Sequence, residues 1–258
     1  MPPNPAPLAR LTLLSISLAG AGAHAEDTLT AYTGVDFSRG KFGHATATET
    51  WSYPLSLKYE HGPFTLKGSI SYLKISGPAN VVGGGEDFID LGDESTTRSV
   101  SGWGDWVVGG SWSAYQDNTG WLVDLGAKIK FGTADENKGL GTGKNDYSLQ
   151  ADVYKSMGPG TLFFTLGKRK MGDPSGIDLR DPAFATLGWS QRLNPATSVG
   201  LMYDFRQPVV AGHEPAREMT AFVSRKLTDT WKIQGYLVRG FSQASPDAGA
   251  GLMISASY

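Results

Sequence analysis

The chain has 258 residues and not one cysteine. That absence excludes a disulfide-stapled scaffold, a thiolate metal site and a cysteine nucleophile. Basic residues do not outnumber acidic ones, 23 against 25, so the charge balance carries no nucleic-acid footprint. Beyond residue 25 no stretch approaches the roughly 20 apolar residues that a membrane helix needs. Runs with the 3.6-residue period of an amphipathic helix are missing as well. Histidine is scarce, with four residues. His24 falls in a leader, His44 and His213 in expected loops and His61 in a turn, so a Ser-His hydrolytic site has little to build on.

Residues 1–25 read as a secretory signal peptide. Arg10 supplies the positive start, "LTLLSISLAGAG" an apolar run too short to span a bilayer, and Ala23-His24-Ala25 the small-x-small cleavage pattern. The mature chain, 26–258, shows no linker or low-complexity block and reads as a single domain. A secreted chain of this size without disulfides needs one large closed architecture for its stability.

Period-2 alternation dominates that domain. In "GWLVDLGAKIKF" one face carries Trp121, Val123, Leu125, Ala127, Ile129 and Phe131, and the other carries Asp124, Lys128 and Lys130. Twelve such segments recur, at about 28–38, 46–60, 63–75, 101–115, 120–131, 145–156, 160–170, 182–192, 197–207, 216–226, 229–241 and 248–258. Their connections alternate strictly. "HGP", "QDNTG", "MGPG", "LNPAT" and "LTDT" are short; the others are long, above all 76–100 and 132–145. Short turns at one end and long loops at the other are the rhythm of an antiparallel up-and-down transmembrane β-barrel of the bacterial outer membrane. A strand of about 11 residues, tilted by about 40°, covers roughly 28 Å of membrane normal, which matches the apolar band of such barrels.

A soluble sandwich or lipocalin-like barrel alternates too, but it must bury one face and wet the other. Here Trp, Tyr and Phe recur near segment ends, as in Trp51, Tyr59, Phe64, Tyr72, Trp112, Trp121, Phe131, Tyr147, Tyr203 and Phe205, where membrane interfaces place aromatic girdles. The opposite faces carry Lys58, Glu60, Lys67, Asp105, Asp124, Lys128, Lys130, Asp152, Asp204, Arg206 and Glu218. So many charges do not fit a soluble core. All of them but Glu60 are the candidate lumen-lining residues, either guiding a solute or pairing with one another to fill a narrow polar interior.

The loop following the strand that ends at Phe131, "GTADENKGLGTGKN", turns tightly through Gly132, Gly139, Gly141 and Gly143. No helix and no Gly-Lys-Ser/Thr ending follow, so it is not a phosphate loop. Asp135, Glu136 and Asp146 lack EF-hand spacing, and a plain loop is the preferred reading over a divalent-ion site. Candidate gate residues are Asp87, Asp90 and Asp93 in one long loop, and Asp135, Gly139, Gly141, Gly143 and Asp146 in or beside the other. No metal or cofactor is implied.

Two stretches together resemble the outer-membrane transporters linked to the meta-cleavage pathway of phenol degradation. "SGWGDWVVGGSW" supplies Gly102, Gly104 and Asp105 of a Gly-x-Gly-Asp strand start. "GLGTGKND" supplies Gly139, Leu140, Gly141, Thr142, Gly143 and Asp146 of the family's second glycine-rich segment. Between them "KFGTADENK" departs from the family pattern, lacking its Pro and the following Gly. The resemblance implies an outer-membrane barrel that moves small aromatic or hydrophobic compounds. The leading reading is passive diffusion through, or lateral release from, this barrel, with the loops 76–100 and 132–145 as its outer gate. A non-transporting structural or surface barrel is the second reading and an outer-membrane hydrolase the third. The expected partners are the lipid bilayer, an unidentified small solute and the barrel-assembly machinery. The last segment closes the barrel on the first, and Tyr258, its terminal ring, resembles the C-terminal aromatic that serves as an assembly signal.

Overall fold

A computed structural model describes residues 7–8, 27–78, 81–84, 87–90, 97–176 and 178–258. The rest of the expected leader and Asp93 lie outside the described residues, and of Asp87 and Asp90 only the backbone is described.

Twelve strands form the barrel: β1 Thr28–Gly40, β2 Thr48–His61, β3 Phe64–Pro78, β4 in two parts Thr97–Trp103 and Trp106–Gln116, β5 Trp121–Phe131, β6 Asp146–Met157, β7 Gly160–Lys170, β8 Ala183–Asn194, β9 Thr197–Arg206, β10 Ala216–Lys226, β11 Trp231–Gly240 and β12 Ala248–Ser257. Each pairs antiparallel with its neighbours in sequence, and β12 pairs with β1 from Ala248↔Arg39 to Ser257↔Thr30. The sheet therefore closes with no free edge. Closure is the only way a sheet satisfies every backbone N–H and C=O in hydrocarbon. A separate small ladder joins Val81–Gly84, Asp87–Asp90 and Pro7–Leu8.

Alternation sorts the side chains as a lipid-facing barrel requires. Leu55, Leu57, Leu66, Leu149, Leu166, Leu187 and Leu237 are exposed on the outside, while Thr30, Ser56, Thr186, Ser190, Thr220 and Ser224 are buried on the inside. Exposed aromatic residues gather toward both rims. Trp51, Tyr72, Trp103, Trp106, Phe131, Tyr147 and Phe205 belong to the long-loop end; Tyr59, Phe64, Tyr115, Trp121 and Trp231 belong to the short-turn end. Among the described residues, no helix is long and apolar enough to cross a membrane.

The short turns are built from local chemistry. Between His61 and Phe64 the chain reverses in two residues, with Gly62 at φ 55°, a left-handed conformation that favours glycine. The turn after β4 is organised by Asp117, whose carboxylate accepts the N–H groups of Thr119 and Trp121, each at 2.9 Å.

β3 and β4 depart from the sequence expectation. The third segment runs on to Pro78 and the fourth begins at Thr97, because the hairpin continues its ladder from Tyr72↔Trp103 up to Pro78↔Thr97. Part of the expected gate loop 76–100 is therefore strand, with the Ser76 and Ser99 hydroxyls 2.9 Å apart. β4 is also interrupted at Gly104–Asp105. Above the break Tyr72 faces Trp103; below it Ser69 faces Val107, so β4 has one residue more than β3 over this interval. The extra residue is a β-bulge, which lets Trp103 and Trp106 both face outward while buried Asp105 turns inward.

Candidate functional site

The bulge at Asp105 centres the best-built polar cluster in the molecule. Lys130 Nζ, at the end of β5, lies 3.0 Å from Asp105 Oδ2 and 3.1 Å from Asp146 Oδ2 at the start of β6. All three side chains are at most 6% exposed. Two carboxylates share one ammonium, and backbone donors satisfy the excess charge: Ala134 N–H donates to Asp105 Oδ1 at 2.8 Å, and Gly172 N–H to Asp146 Oδ1 at 3.0 Å. A buried charge is tolerated only when paired and hydrogen-bonded in this way. The cluster consequently ties three strands to the loops 132–145 and 171–182.

The loop 132–145 is held against the inner wall. Its Leu140 is 1% exposed and packs, with Ala134, on Leu73 and Ile75 of β3. Gly102 leaves the room that Leu140 takes, since a Cβ there would stand 2.6 Å from Leu140 Cδ1. Gly141 likewise lies against Ala134 and both oxygens of Asp105. The two glycine-rich stretches, about 35 residues apart in sequence, thus meet in one place. Asp135 caps a single 3-10 turn, Glu136–Lys138, accepting from Asn137 N and Lys138 N, and Gly139 ends that turn at φ 65°. Gly143 takes φ 67°. Asp135 and Asp146 are engaged separately, and among the described residues no three carboxylates or histidines converge as a metal-binding group.

Elsewhere on the inner wall, Lys58, Asp152 and Glu218 are buried, and Lys67, Asp124, Lys128, Asp204 and Arg206 are half-buried. Lys58 Nζ pairs with Glu60 Oε2 at 2.8 Å. Asp124 accepts from Ser113 Oγ at 2.7 Å. Asp152 accepts from Thr165 Oγ1 at 2.6 Å and Gln150 Nε2 at 2.7 Å. Asp204 accepts from Thr186 Oγ1 at 2.6 Å. Hydroxyl donors from the next strand thus hold several of these carboxylates in place.

Sequence reading missed the inward rings. Phe163, Phe184, Phe222 and Tyr236 share the inner face with the charges, each lying over a glycine of a neighbouring strand, respectively Gly188, Gly167, Gly200 and Gly251. A ring laid over a strand glycine restores the contact that the missing side chain forfeits. Tyr236 also donates to Asp36 Oδ2 at 2.7 Å. The signal was present in principle, as a ring on one strand and a glycine on the next, but it needs the inter-strand register to be read.

The histidines do other work. His61 pairs with Asp27 and stacks on Tyr59, whose hydroxyl donates to the same carboxylate at 2.8 Å. The His61 N–H bond, ahead of the Tyr59 hydroxyl, holds the Asp27 carboxyl below its ordinary value. His213 Nδ1 lies 3.3 Å from the carbonyl of Val210. A groove of about 750 Å³ lined by Leu66, Gly110, Trp112, Ala127 and Leu149 opens on the outside of the wall. At the C-terminus, exposed Tyr258 exchanges two 2.9 Å backbone hydrogen bonds with Leu29 of β1.

No family model and no curated protein matches the chain. Solved structures do. An outer membrane channel from Pseudomonas putida F1 superposes with a TM-score of 0.69 at 15% identity, covering 94% of this chain and 98% of that one. The KdgM porin follows at 0.57 and 9%, covering 89% and 99%. The translocator domain of the autotransporter NalP from Neisseria meningitidis reaches 0.53 at 10%, covering 90% and 89%. At these identities the likeness establishes the fold, that of outer-membrane barrels.

Proposed function

We propose that this barrel resides in the bacterial outer membrane and passes small hydrophobic or aromatic compounds by passive diffusion, with the long loops outside and the short turns in the periplasm. The observation that carries the reading is the composition of the inner wall. Rings at Phe163, Phe184, Phe222 and Tyr236 alternate there with charged and hydroxyl groups, a surface suited to solutes with an apolar body and a polar handle. A barrel that serves only as a wall needs a polar interior, not an aromatic one. Two further facts support it: the loop 132–145 is strapped onto the inner wall near the long-loop rim, and the glycine-rich segments resembling the aromatic-compound transporters build that strap. The loop acts as the outer constriction.

The test is purified protein reconstituted in liposomes and in planar bilayers. Swelling or conductance that depends on the identity of an aromatic solute is the expected result. Bilayers that stay silent, with no binding of any aromatic or acidic solute, overturn the reading and leave a structural barrel.

A further inference from the structure

The register of the strands assembles two rows of charge that no single segment displays. In an antiparallel ladder, residues directly opposite share a face, so a row can be followed from strand to strand. One row reads Lys58↔Lys67↔Gly109↔Lys128↔Ser148↔Arg169 across β2 to β7. It starts near the short-turn end of β2 and finishes one residue from the long-loop end of β7, so it climbs the whole wall. The other reads Asp124↔Asp152↔Thr165↔Thr186↔Asp204↔Glu218 across β5 to β10. It climbs in the same sense, from near the short-turn end of β5 to near the long-loop end of β10.

Where the rows overlap, on β5, β6 and β7, they stand four residues apart, about 13 Å of strand at ~3.3 Å per residue. The band between them is Gly126↔Gln150↔Gly167↔Phe184. Two of these positions lack a side chain, and the Phe184 ring covers the second. Asp124 and Asp152 are directly opposite each other, and their contacts among the described residues are neutral donors from Ser113, Thr165 and Gln150. The result is a cation row above, a carboxylate pair below, and a low floor with an aromatic ring between.

We infer that this band is a binding site for aromatic zwitterions, with the solute's carboxylate toward Lys128 and Arg169, its ammonium toward Asp124 and Asp152, and its ring on Phe184. The inference rests on the conduction reading above and narrows its substrate class. Lysine and arginine side chains are long enough to span part of that ~13 Å, which leaves room for a small ring bearing one charge at each end. A singly charged solute meets only one row, and a neutral solute meets neither. The solute crosses by moving along the rows, its dipole held in one orientation.

Four compounds of one size separate the charge states: 4-(aminomethyl)benzoate, 4-methylbenzoate, 4-methylbenzylamine and 4-methylbenzyl alcohol. Liposome swelling and current block in planar bilayers are read for each. The zwitterion is expected to half-saturate at about tenfold lower concentration than the others. In the wild-type background Lys128→Gln should remove the zwitterion's advantage over 4-methylbenzylamine, and Asp124→Asn with Asp152→Asn its advantage over 4-methylbenzoate. Folding of each variant is checked by its heat-modifiable gel migration and by its resistance to protease in detergent. If the four compounds rank by hydrophobicity alone, or the variants alter all four equally, the site is overturned while conduction stands. Failure of all four to enter or to block overturns both.

Discussion

Lys130 is a side chain whose loss should be felt well beyond its own strand. Replacing it with Met leaves Asp105 and Asp146 buried against each other without their shared cation. Breaking a buried pair in this way costs about 3–5 kcal/mol. Lys130→Met should therefore lower the unfolding midpoint in detergent and release the loop 132–145 to protease, whereas Lys138→Met, at an exposed pair 3.8 Å from Asp135, should do neither. Asp117 gives a prediction in pH. The Trp121 N–H above all, with the Thr119 and Tyr115 groups behind it, holds its carboxyl below the ordinary value of 3.8. A depressed folded value means the stabilisation is complete above the unfolded value and is lost as pH falls through the lower folded one. The protection factors of amides in the turn 117–120 should thus be highest at neutral pH and fall only below about pH 3.8, and Asp117→Ala should lower them at neutral pH but change little once the carboxyl is protonated.

At the scale of the element, β4 carries most of the local design. Its bulge aims Asp105 inward, and Gly102, three residues before it, admits Leu140. Gly102→Leu should push Leu140 off Leu73 and Ile75 at a cost of about 1–3 kcal/mol, the usual penalty of overpacking. Faster proteolysis within 132–145 and a larger conductance are the readouts. A conductance equal to wild type with the loop cut would mean that the loop does not narrow the passage. The strands themselves were legible because lipid on one side and water on the other force a strict alternation, so Leu125, Lys128 and Lys130 declare their faces without help. The bulge was not read, although its trace is there: Trp103 and Trp106 both face outward at a spacing of three, which an unbroken strand cannot give. The rim ladder from Ser76 to Pro78 was hidden for a different reason. Beyond the membrane the alternation of apolar and polar residues relaxes, and Ser, Gly and Pro then read as loop.

For the molecule as a whole, what could be read in advance was what each strand decides alone. Rows such as Lys58, Lys67 and Lys128 depend on how every hairpin sets its offset against the next, and no segment holds that information by itself. The inward rings over Gly188 and Gly200 were missed for the same cause. Tyr258 belongs to this scale as well, because its two backbone bonds to Leu29 finish the seam between the first and last strands. Deleting Tyr258 should reduce the amount of heat-modifiable, folded barrel in the outer membrane more than it changes permeation per folded barrel; normal surface levels of the truncated chain would show the residue to be dispensable for assembly. That seam has a kinetic meaning. Every other strand pairing within the barrel joins neighbours along the chain and can form as soon as its hairpin does. The β1 to β12 pairing, marked by the 3.0 Å contact of Thr30 and Ser257, spans 227 residues. In a flexible chain, joining ends so far apart would cost about 5 kcal/mol under the logarithmic law; hairpins paired beforehand order the chain between the ends and lower that cost. Until that event the molecule is an open sheet with two unsatisfied edges, each a template for pairing with another chain, so closing the seam also removes the surface on which aggregation would start.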